Sequence, residues 1–126
     1  MWDEAGRLTE WLGEVPIEAQ LLKLSEEVGE VAEAYLGMTG LNPRKGFSHT
    51  REDLVGEVAD VIISAAVAIV RLSGDPRAAR DAFQAHLAAV LARAGLETDP
   101  AQAESNGTDG TFGQRQDWPG RVADGR

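Results

Sequence analysis

The chain has 126 residues, no cysteine and a formal charge of −9, with 43% hydrophobic but only 6% aromatic residues. That length suits one domain, the missing cysteines exclude disulfides and thiolate metal sites, and the acidity argues against non-specific binding to nucleic acid or anionic membrane. The longest apolar run, Val61–Val70, is too short to span a bilayer and the acidic start "MWDEAGRLTE" lacks a signal-peptide core, so the expectation is a cytoplasmic protein with neither nucleic acid nor membrane as partner.

The chain reads as four helices and no strand, an all-α fold. A first helix covers about Asp3–Glu14, with Leu8, Trp11, Leu12 and Val15 at helical spacing as its core face. Pro16 suits the opening turn of a second helix, about Ile17–Leu36, which Gly37 is expected to stop. The connection "GMTGLNPRKGFSH" is longer than a tight turn needs, and loops of that length often carry function. Thr50 and Asp53 form a capping-box pattern for a third helix, about Arg51–Leu72, ended by Gly74. Asp75-Pro76 then launches a fourth helix to about Ala94, with Gly95 as its cap.

From Glu97 the composition shifts to Gly, Asp, Gln and Pro, with Phe112 and Trp118 as the only large apolar residues. The expected organisation is a helical domain over 1–96 and a disordered polar tail over 97–126, because the tail has too little apolar surface to offset chain ordering. Six carboxylates against three arginines leave the tail at −3, so residues 1–96 carry −6.

The acidity has a pattern. In "KLSEEVGEVAE" the residues Glu26, Glu27 and Glu30 lie opposite an apolar stripe of Leu21, Leu24, Val28, Val31 and Tyr35, which alone reads as a solvated face. The third helix, "GEVADVIISAAVAIVRL", is apolar in nearly every direction except for a strip of Glu57, Asp60, Ser64 and Arg71. A helix of that kind is expected to be buried, so Glu57 and Asp60 should face protein, where unpaired carboxylates are costly. Arg71 lies about 16 Å along the axis from Asp60 and is poorly placed to serve both. The pairs Glu27/Glu30 and Glu57/Asp60 are each spaced i, i+3, so each pair shares one helical face. On antiparallel neighbours they converge into an all-oxygen site suited to Mg²⁺, with Mn²⁺ possible.

Glu26-Glu27-x-x-Glu30 followed by Glu57-x-x-Asp60, in the context "KLSEEVGEVAE", resembles the EExxE and ExxD motif pair of the MazG-like all-α nucleoside triphosphate pyrophosphohydrolases. The resemblance covers about residues 8–94, and the intervening loop is similar to that of an actinobacterial MazG-like subgroup. It implies a helical-bundle homo-oligomer, dimer or tetramer, that uses Mg²⁺ to cleave a (d)NTP between its α and β phosphates. Glu27, Glu30, Glu57 and Asp60 would then be metal ligands, and Glu26 a further ligand or the group orienting the attacking water, which with Glu27 makes the catalytic pair. The scaffold is shared with phosphoribosyl-ATP pyrophosphohydrolase, and a non-catalytic helical module with a structural ion or salt-bridge network is a further alternative.

Candidate substrate contacts are Lys23, Arg44, Lys45 and Trp11. Lys23 sits one turn before the glutamates, for a phosphate or for a surface ion pair. Arg44 and Lys45 lie in the loop before the second motif, placed for β and γ phosphates or merely solvated. Trp11 can stack on a base, although packing with Leu8, Leu12 and Val15 is the simpler expectation. His49 can bind substrate or carry a proton, although packing in the loop before Thr50 is the simpler expectation, and His86 is expected to pack or lie in an interface. The face of residues 83–94 and the back of residues 62–72 are apolar enough to predict a symmetric dimer.

Overall fold

In the computed structural model of the chain, residues 1–96 are described, and the expected tail at 97–126 lies outside them. Four helices follow in order, α1 (Trp2–Leu12), α2 (Ile17–Thr39), α3 (Arg51–Ser73) and α4 (Pro76–Arg93). There is no strand among the described residues, and no helix there is long and apolar enough to cross a membrane. One compact unit spans Met1–Val90. The next begins at Leu91, where Gly95 at φ 67° closes the helix end and the Leu96 N–H returns to the Leu91 carbonyl at 2.9 Å.

Local chemistry sets the helix ends. Thr50 and Asp53 form a reciprocal cap at the start of α3: the Asp53 N–H donates to the Thr50 hydroxyl at 3.1 Å, and the Thr50 N–H to the Asp53 carboxylate at 2.7 Å. The Asp75 carboxylate accepts from the Arg77 and Ala78 N–H groups at 2.8 and 2.9 Å and opens α4. The expected stop of α2 at Gly37 is corrected: the helix continues to Thr39, and Gly40 at φ 66° supplies the left-handed cap. Gly37 has another task. The loop returns along α2 with the Ser48 N–H on the Gly37 carbonyl at 3.1 Å, and a Cβ at residue 37 would lie 2.5 Å from Ser48 Oγ and against His49 Nδ1.

The core differs from the one expected. On α1 the buried residues are Trp2, Ala5 and Gly6, whereas Leu8, Trp11 and Leu12 are exposed. Trp2 and Ala5 pack with Ala66, Val67 and Val70 of α3 and Ala79 of α4. The Trp2 ring tilts against Phe83 with centroids 5.3 Å apart, a favourable aromatic arrangement. A Cβ on Gly6 would meet the Pro76 ring at 2.6 Å, so the missing side chain lets α4 begin directly against α1.

The α2–α3 pair positions the carboxylates, and here the buried face is rotated from the expected one: Leu24 and Val31 pack as expected, but Glu27 joins them while Leu21, Val28 and Tyr35 do not. The covered residues of α2 are Gln20, Leu24, Glu27, Val31 and Ala34, fully or half buried, spaced alternately four and three residues apart. On α3 the matching stripe is Leu54, Glu57, Val61, Ser64 and Ala68. Such 4-3 spacing is the seam by which helices pack at a shallow angle. Gln20 Nε2 donates to the Ser64 carbonyl at 3.2 Å, fixing the antiparallel register that sets Glu27 beside Glu57. Leu21, Val28 and Tyr35 face outward on α2, as do Val55, Val58 and Ile62 on α3. The N-terminal half of α3 is therefore covered only along this seam, not buried all round as its composition suggests, and the fully buried residues of α3 are Ala66, Val67, Ala68 and Val70.

Candidate metal centre

Carboxylate oxygens of Glu27, Glu57 and Asp60 lie within 4.8 Å of one another. Glu27 comes from the buried seam of α2, its side chain 8% exposed, while Glu57 is half-buried and Asp60 exposed. The cluster thus has a covered floor and an open mouth. Around an Mg²⁺ or Mn²⁺ ion with oxygens at about 2.1 Å, neighbouring octahedral ligands sit about 3 Å apart and opposite ones about 4.2 Å. A 4.8 Å spread of hard oxygen donors therefore fits such an ion after small side-chain rotations, and three carboxylates with no nitrogen or sulfur favour these cations over zinc or copper.

Glu30 adjoins the cluster. The neighbouring Glu27 carboxylate, and after it desolvation and the Glu57 charge, raise its proton affinity above that of an ordinary glutamate. Glu27 moves the opposite way. The Lys23 ammonium, 2.8 Å from its Oε1, holds it lower against the effect of burial, with smaller help from Glu30 and Ser64. Lys23 is itself held more strongly protonated, chiefly by Glu27.

The remaining predicted residues separate into those at the cluster and those away from it. Glu26 is exposed and lies 3.5 Å from Lys23, outside the trio. Lys45 pairs with Glu33 at 2.5 Å and not with the trio. Arg44 is exposed, with its N–H on Asn42 Oδ1 at 3.1 Å. His49 packs against Ser48 and Gly37, as loop packing predicts, and His86 is exposed. Arg71 holds the Val15 and Gly13 carbonyls at 3.3 and 3.0 Å, pinning the α1–α2 connection and leaving the carboxylates unserved.

Trp11 is the largest departure. It is 81% exposed, and instead of packing in the core it lines a groove of about 300 Å³ with Leu8, Leu12, Gln20, Lys23 and Ser64. Lys23 belongs to both the groove and the carboxylate cluster, so the two adjoin. Helical spacing correctly places Trp11 with Leu8 and Leu12. It does not reveal that their shared face is left open because α1 packs through Trp2 and Ala5. Comparison of the chain with protein-family models, curated proteins and solved structures found no match.

Proposed function

We propose that the protein is a Mg²⁺-dependent nucleotide pyrophosphohydrolase that cleaves (d)NTPs to nucleoside monophosphate and pyrophosphate, clearing non-standard or surplus nucleotides. The observation that carries this reading is the convergence of Glu27, Glu57 and Asp60 within 4.8 Å beside a groove lined by Trp11 and Lys23. The motif resemblance to MazG-like enzymes supports it independently of the geometry.

In this reading Glu27, Glu57 and Asp60 hold the metal, with Glu30 next to them as a fourth ligand. Bound Mg²⁺ would neutralise phosphate charge and lower the pKa of a coordinated water. The chain's own groups do the positioning. Trp11 offers an aromatic face to the base, worth about 1–3 kcal/mol in stacked complexes, and Lys23 meets a phosphate oxygen. Glu26, beside Lys23, orients the water that attacks the α phosphorus as the bond to the bridging oxygen breaks and pyrophosphate leaves. Catalysis then rests on positioning and electrostatics, as phosphoryl chemistry generally does. Arg44 and Lys45 reach the distal phosphates only if the loop moves and Lys45 leaves Glu33.

A second copy of the chain completes the fold in this proposal. Among the described residues eight hydrophobic ones are buried, and of these only Trp2, Val67 and Val70 are larger than alanine, while Leu21, Val28, Tyr35, Val58 and Ile62 are exposed. So small a core is marginal for an isolated chain. Sedimentation should give at least twice the 13.5 kDa chain mass, and a stable monomer would contradict it.

The activity is tested by incubating purified protein with a nucleotide panel, phosphoribosyl-ATP included, and Mg²⁺. Pyrophosphate release that EDTA and Glu57→Gln abolish supports the reading. Turnover of phosphoribosyl-ATP alone would move it to the histidine-biosynthesis reaction. A folded protein that turns over nothing, with carboxylate changes affecting only stability, would leave a non-catalytic helical module.

A further inference from the structure

Lys23, which meets a phosphate in the proposed chemistry, is bound to a carboxylate of the proposed metal site in this structure. Its ammonium lies 2.8 Å from Glu27 Oε1 and 3.5 Å from Glu26 Oε1, bridging a buried and an exposed carboxylate from one turn away on the same helix. Among the described residues it is the cation paired with the carboxylate cluster; Arg71 binds backbone carbonyls and Lys45 binds Glu33. A carboxylate as covered as Glu27 needs such compensation.

The bond is also exchangeable. Lys23 is 47% exposed on a flexible stem, and an ammonium is a point charge without the bidentate lock of a guanidinium. Its partner, Glu27, is the one buried member of the trio, so the Lys23 ammonium and a divalent ion compete for the same carboxylate. An ion taking that carboxylate both removes the partner of Lys23 and repels its charge. The stem already lines the groove with Trp11, Gln20 and Ser64, which leaves the freed ammonium at the groove's mouth.

We infer that Lys23 is a displaceable counter-ion: it holds Glu27 in the metal-free protein, yields it to the divalent cation, and then meets the anionic group of the ligand in the adjoining groove. Lys23 is thus a positioning residue that couples metal binding to ligand binding. A first ligand that frees a group needed by the second produces positive coupling between them. This inference rests on the metal site proposed above.

The sign of the Lys23→Met effect tests it. Mn²⁺ is titrated alone by calorimetry, and then with a non-hydrolysable α,β-methylene nucleoside triphosphate, on the wild type, Lys23→Met, Lys23→Arg and Lys45→Met. Losing the competitor should tighten binding of Mn²⁺ alone by about fivefold, near the upper range for a half-exposed ion pair. The nucleotide should then enhance Mn²⁺ binding less in Lys23→Met than in the wild type, and Lys23→Arg, whose guanidinium holds Glu27 more firmly, should bind Mn²⁺ alone less tightly than the wild type. Thermal denaturation supplies a second readout: Lys23→Met should be less stable than the wild type without metal, with the gap closing at saturating Mn²⁺. Weaker or unchanged binding of Mn²⁺ alone in Lys23→Met, or an equal gain in Lys45→Met, would overturn the counter-ion role while leaving the metal site standing. A wild type that binds no Mn²⁺ would overturn both.

Discussion

Two glycines of α2 give opposite predictions for the same substitution. Gly29 has nothing within 4 Å of where a Cβ would stand, so Gly29→Ala gains the helix propensity of alanine, about 1 kcal/mol, at no steric cost. Gly37→Ala gains the same propensity, but its methyl would lie 2.5 Å from Ser48 Oγ, about 0.9 Å inside the 3.4 Å limit of ordinary contact, and would press on His49. Overpacking of that kind costs about 1–3 kcal/mol, leaving a net loss of about 1 kcal/mol. For a domain of this size each kcal/mol moves the melting temperature by about 4–8 °C. Melts followed by helical circular dichroism should therefore place Gly29→Ala above the wild type and Gly37→Ala below it, about 8–16 °C apart. The Ser48–Thr50 segment also delivers α3, so Gly37→Ala should weaken Mn²⁺ binding by moving Glu57 and Asp60 relative to Glu27. A Gly37→Ala protein as stable as Gly29→Ala would show that the loop is not seated on α2.

The cap of α3 and the aromatic wall of the groove give two further tests. Thr50→Ala should cost about 1 kcal/mol in a melt. Backbone and hydroxyl hydrogen bonds from Thr50 hold the Asp53 carboxyl below its usual 3.8, so the cap's contribution is complete above that value and is lost as pH falls through the lower folded value; in Asp53→Asn this acid-dependent part of the melting curve should be absent, and an unchanged pH profile would exclude the cap as its source. Trp11→Ala should shift stability by less than about 0.5 kcal/mol because the ring is exposed, yet raise KM for nucleotide about tenfold. A large loss of stability with unchanged KM would return Trp11 to a packing role.

Much of the secondary structure was legible because its signals are local. Thr50 with Asp53, Asp75 with Pro76, and the left-handed glycines at 40, 74 and 95 mark helix ends through backbone hydrogen bonds and φ angles that need no tertiary partner. Gly37 misled because a glycine that stops a helix and one that admits a crossing loop look alike in sequence. The faces of α1 and α2 misled for a different reason. Hydrophobic periodicity identifies the apolar side, but of that stripe α2 turns only Leu24 and Val31 into the seam, adds Gln20, Glu27 and Ala34, and leaves Leu21, Val28 and Tyr35 outward. Small and polar seam residues let the two helices carry carboxylates between them, and the apolar stripe is left for another surface.

The same rotation of the buried face accounts for what was readable at the site. The i, i+3 spacing placed Glu57 with Asp60 on one face and Glu27 with Glu30 on the other helix, and the structure brings three of the four together with Glu30 adjoining Glu27. The expected reason, a fully buried α3, was not the operative one: Glu57 and Asp60 meet Glu27 through the seam register set by Gln20 and Ser64. The Lys23–Glu27 contact was one of two open readings for Lys23, whereas Lys45 with Glu33 depends on a loop fold that spacing does not encode.

The central claim is that a divalent cation lies among Glu27, Glu57 and Asp60, and crystals grown with Mn²⁺ test it most directly through the anomalous signal of the metal. The account predicts one strong peak about 2.2 Å from an oxygen of each of these three carboxylates, with the Lys23 ammonium withdrawn from Glu27. A peak elsewhere on the acidic surface, or none at saturating Mn²⁺ with Lys23 still seated on Glu27, would contradict it.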